Sequence, residues 1–129
     1  MTLDRAIVFV VLGLVLAPRP SRQSPSPLGR WVGDSHCLGA HPACHEEHVI
    51  YQVDSTGPGQ VRLDGSRVSG KDTVDMGPLS CQNAGSGSAI LCPIPNGLWR
   101  FAAVQDRLEG TLTLRDSTVM RRVVAYRAH

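Results

Sequence analysis

Apolar and polar residues alternate along most of the chain after residue 28, as expected of strands that bury one face. The clearest case is 107–115, where Leu108, Gly110, Leu112 and Leu114 alternate with polar residues. Turn-forming residues recur about every eight to twelve positions, and no stretch has the period of a long amphipathic helix. The pattern predicts an all-β fold of seven or eight short antiparallel strands. Closure into a small up-and-down barrel would leave no exposed strand edge.

The strand assignments follow this alternation from one turn to the next. Trp99, Phe101 and Ala103 are predicted to share one face of a strand. Loops rich in Gly, Ser, Asn or Pro are predicted at 82–88 and 93–97. A third strand around Val61 and Leu63 is predicted to bend at Asp64-Gly65. The other predicted strands are 30–36, 47–54, 73–81, 107–115 and 119–127.

The chain begins with an apolar run that predicts export. Residues 6–17 are twelve uninterrupted apolar residues, preceded by Arg5. Because about 20 apolar residues are needed to cross a bilayer, we interpret residues 1–17 as a signal peptide and expect no stable membrane span. An uncleaved N-terminal anchor is the alternative. The Pro/Ser-rich residues 18–28 are predicted to be a disordered spacer, and 29–129 to be the barrel domain of a secreted or periplasmic protein.

Charge excludes one class of partner. Without residues 1–17 the chain has 12 basic and 10 acidic side chains, and Arg121-Arg122 is the only adjacent basic pair. Nucleic-acid binding usually needs a basic stripe. We therefore expect no nucleic-acid partner.

Four cysteines follow the apolar run, at positions 37, 44, 81 and 92. An even number in a short exported chain predicts disulfides, and four cysteines allow three pairings. Cys37–Cys44 and Cys81–Cys92 are favoured because each pair flanks a predicted hairpin loop. The disulfides would then staple the small barrel.

Four of the five histidines lie between residues 36 and 48, beside Glu46 and Glu47. His36, His41, His45 and His48 are therefore predicted to form a binding surface. The alternative is a Zn or Cu site at His41, His45 and His48, since neutral imidazole suits these metals. The sequence His-Glu-Glu-His is one residue short of the zinc-protease motif and lies on a predicted strand, so a metalloprotease is rejected.

The first predicted strand opens with Gly29-Arg30-Trp31. This Gly-x-Trp resembles the opening motif of lipocalin-like (calycin) barrels, and the chain is similar to small secreted bacterial proteins of uncharacterised function. The resemblance implies that Trp31 closes the barrel floor and that an arginine from the last strand packs over it. Alternation puts Met120, Arg122, Val124 and Tyr126 on one face, which makes Arg122 the predicted partner of Trp31.

The predicted function is an exported, non-catalytic module of the cell envelope or extracellular space that binds a protein or a small ligand. Small bacterial barrels of this type include inhibitors of secreted metalloproteases, whose N-terminal segment enters the protease cleft. Residues 18–28 would be that segment here. No acid–base pair or nucleophile motif is visible, so we expect no enzyme activity and no cofactor, with a hydrolase as the weaker alternative. A barrel of about 100 residues is filled mainly by its own side chains, which argues against a large lipophilic ligand.

Overall fold

The computed structural model describes residues 10, 11, 13, 14, 25–39, 42–85 and 87–129. Eight antiparallel strands follow one another around a closed barrel, each paired with its neighbours in sequence, and β8 closes on β1. No helix in these ranges is long and apolar enough to cross a membrane. The strands are β1 Gly29–Cys37, β2 Glu47–Gly57, β3 Gln60–Ser69, β4 Asp72–Ala84, β5 Ala89–Ile94, β6 Gly97–Val104, β7 Arg107–Leu114 and β8 Val119–Arg127.

The barrel interior is filled by every second residue of the strands. On β2 the buried residues Val49, Tyr51 and Val53 alternate with exposed or half-buried ones, as the sequence pattern predicts. Burial of these apolar side chains is the main stabilising contribution to the fold. The core comprises Trp31, Val49, Tyr51, Val53, Val61, Leu63, Cys81, Ile90, Cys92, Phe101, Leu108, Val123 and Ala125.

The predicted all-β fold is confirmed, and three strand assignments change. The third strand continues without interruption through Asp64-Gly65 to Ser69, and its pairing with β4 shifts register between Gly65 and Ser66, next to the predicted bend. Strand β4 continues to Ala84, into the segment predicted as loop. Strand β5 (Ala89–Ile94) was not predicted, because its six residues stand between two turn-rich segments and include Pro93.

The seam between β1 and β8 depends on Gly33. Gly33 pairs with Ala125 of β8, and a Cβ placed on it would lie 2.1 Å from the Val124 carbonyl oxygen. No Cβ can occupy that space without moving the backbone. The glycine therefore allows the first and last strands to approach closely enough to close the barrel.

One end of the barrel is closed by Trp31, whose side chain is fully buried. The Arg127 guanidinium lies 4.2 Å from the centre of the Trp31 ring. It also donates hydrogen bonds to the carbonyl oxygens of Ser26 (2.7 Å) and Leu28 (2.8 Å). The Trp31 indole N–H donates to the Pro27 carbonyl at 2.9 Å. These contacts fasten residues 26–28 over the end of the barrel, so the predicted disordered spacer does not include them.

The predicted partner of Trp31, Arg122, is wrong. Arg122 is exposed on the outer face of β8, and Arg127 takes the predicted place. Both faces of β8 carry apolar side chains, so alternation alone did not identify the inner face. Pairing with β1 does so, because Val123 and Ala125 lie opposite Ser35 and Gly33 and are fully buried.

Both predicted disulfides, Cys37–Cys44 and Cys81–Cys92, are confirmed. Cys37 ends β1, and its partner lies in the segment before β2. The second disulfide lies inside the barrel wall, and both of its cysteines are buried. Disulfides of this kind are compatible with an oxidising compartment.

Candidate functional site

The end of the barrel opposite Trp31 contains a small apolar cavity of about 130 Å³. We call it the mouth cavity. It lies between β2, β3, β4 and β6, toward the end where β1 finishes and β8 begins. Most of its surface is apolar and much of it aromatic, which is typical of pockets that bind small apolar groups. Its lining residues are Tyr51, Leu63, Gly65, Met76, Gly77, Leu79, Trp99 and Phe101.

The cavity lies beside the weakest part of the barrel wall. Strands β4 and β5 form only three residue pairs, between Gln82–Ala84 and Ala89–Leu91. The Cys81–Cys92 disulfide is the next cross-link, and no pair of residues joins the two strands beyond it. Pro93 lacks an N–H group and cannot extend the ladder. The β4–β5 ladder therefore ends at the disulfide, close to the lining residue Leu79.

Stacked rings form the inner wall of the cavity. Phe101 stacks on Trp99 with ring centres 5.2 Å apart, and Tyr51 meets Phe101 edge-on at 5.4 Å. Behind Phe101 lies Gly110, where a Cβ would come within 2.6 Å of the ring. The glycine makes room for Phe101 to lie flat against the wall. The rings thus have fixed positions before any ligand binds.

A polar cluster lies near Tyr51, one of the residues that line the cavity. Its members are Arg121, Ser35 and Glu47, together with the His45 carbonyl. Arg121 donates to the Ser35 hydroxyl and to the His45 carbonyl, each at 2.9 Å. Its guanidinium lies 3.7 Å from a Glu47 carboxylate oxygen, and its side chain is only 12% exposed. The cluster brings charged groups close enough to Tyr51 to influence its ionisation.

Tyr51 links the cavity to the polar cluster. Burial raises the pKa of the Tyr51 phenol strongly, the negative charge of Glu47 raises it further, and Arg121 opposes both effects. The phenol is therefore neutral throughout the physiological range. A neutral phenol beside an apolar cavity can donate a hydrogen bond to a ligand and has no role as a base there.

Two predicted surface histidines, His36 and His48, form pairs with carboxylates on the outer face of β1 and β2. The His36 Nδ1 lies 2.8 Å from a Glu46 oxygen, and the His48 Nδ1 contacts the Asp34 carboxylate. These four residues and Glu47 line a shallow depression. All four paired side chains are well exposed to solvent. His36 and His48 thus lie in one surface depression outside the barrel, and a binding role for it stays a prediction.

The other two histidines do not join this cluster. His45 is exposed, and its backbone carbonyl accepts the bond from Arg121. His41 lies outside the described residues, so the metal alternative with His41, His45 and His48 stays a prediction. Within the described ranges, no group of three or more His, Cys, Asp or Glu side chains is arranged to hold a metal ion.

Sequence reasoning missed most of the mouth cavity. Trp99 and Phe101 were predicted to share a face, and this is confirmed. Met76 and Leu79 gave no signal, because β4 carries Gly77 and Pro78 between them and its alternation is broken there. Arg121 was not predicted as a site residue, since the incorrect placement of Arg122 inside the barrel would put its neighbour Arg121 outside. Only the pairing of β8 with β1 shows that it points inward.

The chain was also compared with known proteins. No protein-family model matches it, and no curated protein matches it either.

Proposed function

We propose that this protein is an exported, non-catalytic binding module that takes one small apolar group into the mouth cavity. The group would belong to a small ligand or to a side chain of a protein partner. The observation that carries the proposal is the aromatic cavity lined by Tyr51, Trp99 and Phe101 in a domain closed by two disulfides. The relationship to lipocalin-like barrels is part of the same proposal.

The volume of the cavity limits what it can hold. An apolar cavity of about 150 Å³ is known to accommodate benzene. The mouth cavity, at about 130 Å³, has room for one ring or one branched aliphatic side chain. A fatty acid or a retinoid would not fit. The ligand we expect is therefore a single-ring compound, or a Phe-, Leu- or Ile-like anchor on a partner.

The polar cluster favours one orientation of the bound ligand. A ligand whose ring enters between Met76 and Trp99 would leave its polar substituent near Tyr51 and the Glu47–Arg121 pair. The neutral Tyr51 phenol and the Arg121 guanidinium are donors, so an acceptor such as a hydroxyl or carbonyl oxygen suits this position. Para-substituted phenols are suitable first probes.

Binding of p-cresol tests this proposal, with the fluorescence of Trp99 as the readout. Trp31, the other tryptophan, is fully buried and does not line the cavity, and Trp99→Phe gives its contribution to the signal. We expect saturable binding of p-cresol and none of dodecanoate. Leu79→Phe, which fills the cavity, should abolish binding, whereas Leu98→Phe on the outer face of β6 should leave it unchanged. Equal binding to both variants would refute the mouth cavity as the site.

Protease inhibition is the narrower form of this proposal. It is supported by residues 26–28, which Trp31 and Arg127 hold in a fixed path over the barrel end. A segment fixed in this way could present the preceding chain to a protease cleft. Inhibition of a secreted metalloprotease by the full protein, lost when residues 18–25 are replaced by a Gly/Ser sequence of equal length, would support it. Inhibition that survives the replacement, or no inhibition, would exclude it.

A further inference from the structure

A second depression, of about 250 Å³, lies on the outer face of strands β6, β7 and β8. Arg100, Thr111 and Arg122 line it and stand in one row across the three strands. Thr111 is paired with Arg100 on one side and with Arg122 on the other. Neighbouring strands lie about 4.8 Å apart, so the two arginine backbones are about 10 Å from each other. This is a suitable spacing for two long side chains to reach a ligand between them.

Neither arginine is neutralised by a neighbouring side chain. Arg62, Arg67, Arg107 and Arg121 all form ion pairs, but no ion pair or side-chain hydrogen bond of Arg100 or Arg122 occurs in the described structure. Both side chains are exposed. The two guanidinium groups on either side of the Thr111 hydroxyl are hydrogen-bond donors without acceptors. Because both are positively charged, an anion bound between them would also reduce their mutual repulsion.

One carboxylate lies at the edge of the depression. Glu109 is next to Thr111 on the same face of β7 and also lines the depression. Its carboxylate accepts a hydrogen bond from Arg107 at 2.9 Å, which partly offsets its charge. The balance between two free cations and one paired anion leaves a net positive site.

We propose that Arg100, Thr111 and Arg122 form a binding site for a tetrahedral oxyanion, a phosphate or sulfate group. The two guanidinium groups donate charge-assisted hydrogen bonds to its oxygens, and the Thr111 hydroxyl donates a third. Alanine and valine side chains of Ala102 and Val124 form the remaining wall. This site is separate from the mouth cavity and does not depend on it.

The site is tested by NMR titration of the full domain with sodium phosphate and sodium sulfate at constant ionic strength. Saturable shifts at the backbone amides of Arg100, Thr111 and Arg122 are expected. Arg100→Gln and Arg122→Gln should each weaken binding about five- to tenfold, because each removes a charge-assisted bond. Arg30→Gln removes the same charge from an exposed position on β1 and should change affinity less than about twofold.

Glu109→Gln should change phosphate affinity in the direction opposite to the two arginine variants. Removal of its negative charge should tighten phosphate binding, by about two- to fivefold at low ionic strength. General attraction by net charge would instead make Arg30→Gln as damaging as Arg122→Gln, and that result would overturn the proposal. So would shifts that rise without saturation, or an unchanged affinity in Glu109→Gln.

The same titration with dextran sulfate separates two sources of the oxyanion. Saturation by inorganic phosphate or sulfate identifies a site for the free ion. Saturation by dextran sulfate alone, with the same response to Arg100→Gln and Arg122→Gln, identifies a site for a group carried on a polymer. Absence of binding to all three probes would disprove an oxyanion site.

Discussion

Arg127 connects three parts of the molecule at the level of single residues. Its guanidinium covers the Trp31 ring, and its N–H groups fasten the backbone of Ser26 and Leu28. The cation–π contact is worth about 1–2 kcal/mol where it is partly shielded from water, and each hydrogen bond contributes about 1 kcal/mol net. Arg127 therefore has a structural role at the closed end of the barrel.

Arg127→Gln should lower the free energy of unfolding by about 3 kcal/mol, because it removes the stacking and both hydrogen bonds together. Arg122→Gln removes the same charge from the outer face of β8 and should change stability by less than about 0.5 kcal/mol. Urea unfolding of both variants, with the wild type alongside, measures the difference. An Arg122 variant as unstable as the Arg127 variant would contradict the assignment of Arg127 as the partner of Trp31.

Tyr51 makes stability dependent on pH in the alkaline range. Its phenol ionises near pH 10 in the unfolded chain, and burial raises the pKa above that in the folded protein. Above about pH 10 the folded state therefore binds more protons than the unfolded state, and the free energy of unfolding falls as pH rises. The slope from this one group approaches about 1.4 kcal/mol per pH unit, and the contribution is fully present below pH 10.

Tyr51→Phe should reduce the fall in the free energy of unfolding above about pH 10, because phenylalanine has no ionisable group at position 51. Tyr126→Phe is the matched control, because Tyr126 is exposed on β8 and should leave the slope unchanged. Urea unfolding between pH 8 and pH 11 measures the slope for both variants and the wild type. A wild-type slope in Tyr51→Phe would show that ionisation of the buried Tyr51 phenol does not cause the alkaline loss of stability.

The limits of sequence reasoning are also visible at single residues. The Gly29-x-Trp31 motif indicated a buried tryptophan, and the structure confirms its burial. The sequence did not show which arginine covers it, because Arg122 and Arg127 both lie on a strand with apolar residues on both faces. Which arginine covers Trp31 depends on the register between β8 and β1. These strands are far apart in the sequence, and no local pattern indicates their register.

At the level of strands, the junction of β4 and β5 is the part of the barrel that most needs a covalent link. Three residue pairs join these strands, whereas β3 and β4 are paired over their whole common length. The Cys81–Cys92 disulfide continues the contact beyond the last pair. Leu79, which lines the mouth cavity, lies on the same strand close to Cys81, so the disulfide also stabilises the wall near the site.

Replacing Cys81 and Cys92 by alanine should destabilise the protein more than replacing Cys37 and Cys44. The chain-entropy model gives similar contributions for the two loops, about 2.8 and about 2.5 kcal/mol. Cys81 and Cys92 are also buried, so their removal leaves a gap in the core, whereas Cys37 and Cys44 are only half-buried. Urea unfolding of the two double variants gives the comparison.

Amide hydrogen exchange shows which strands are destabilised by the loss of each disulfide. Loss of Cys81–Cys92 should speed exchange at the amides of Gln82–Ala84, where three pairs alone would hold the strands. Loss of Cys37–Cys44 should leave those amides unchanged. If the two double variants have the same stability and the same exchange pattern, the disulfide does not maintain this part of the wall.

Strand prediction worked where alternation was regular and failed where turn residues interrupted it. The alternating segment of β7 gives its strand directly. Strand β5 lies between a Gly/Ser loop and a Pro-rich turn, and its buried residues Ala89 and Ile90 are consecutive. Because tertiary contacts, rather than local pattern, hold such a strand in place, it could not be recognised from the sequence.

At the level of the whole molecule, the barrel separates its two ends and its outer face. The Trp31 end is closed by side chains and by residues 26–28, and the opposite end contains the mouth cavity and the polar cluster. The histidine–carboxylate pairs and the Arg100–Arg122 row lie outside. The alternation of apolar and polar residues was sufficient to predict a barrel. The position of the mouth cavity could not be predicted, because it depends on closure of the barrel, which brings β2, β3, β4 and β6 together.

The most direct test of the account is an NMR titration of the ¹⁵N-labelled domain with p-cresol. We predict saturable shifts at the amides of Leu63, Met76, Leu79 and Trp99, no change at Arg127, and loss of the shifts in Leu79→Phe. Shifts confined to the Trp31 end or to the histidine pairs, or no saturable shifts at all, would contradict binding in the mouth cavity.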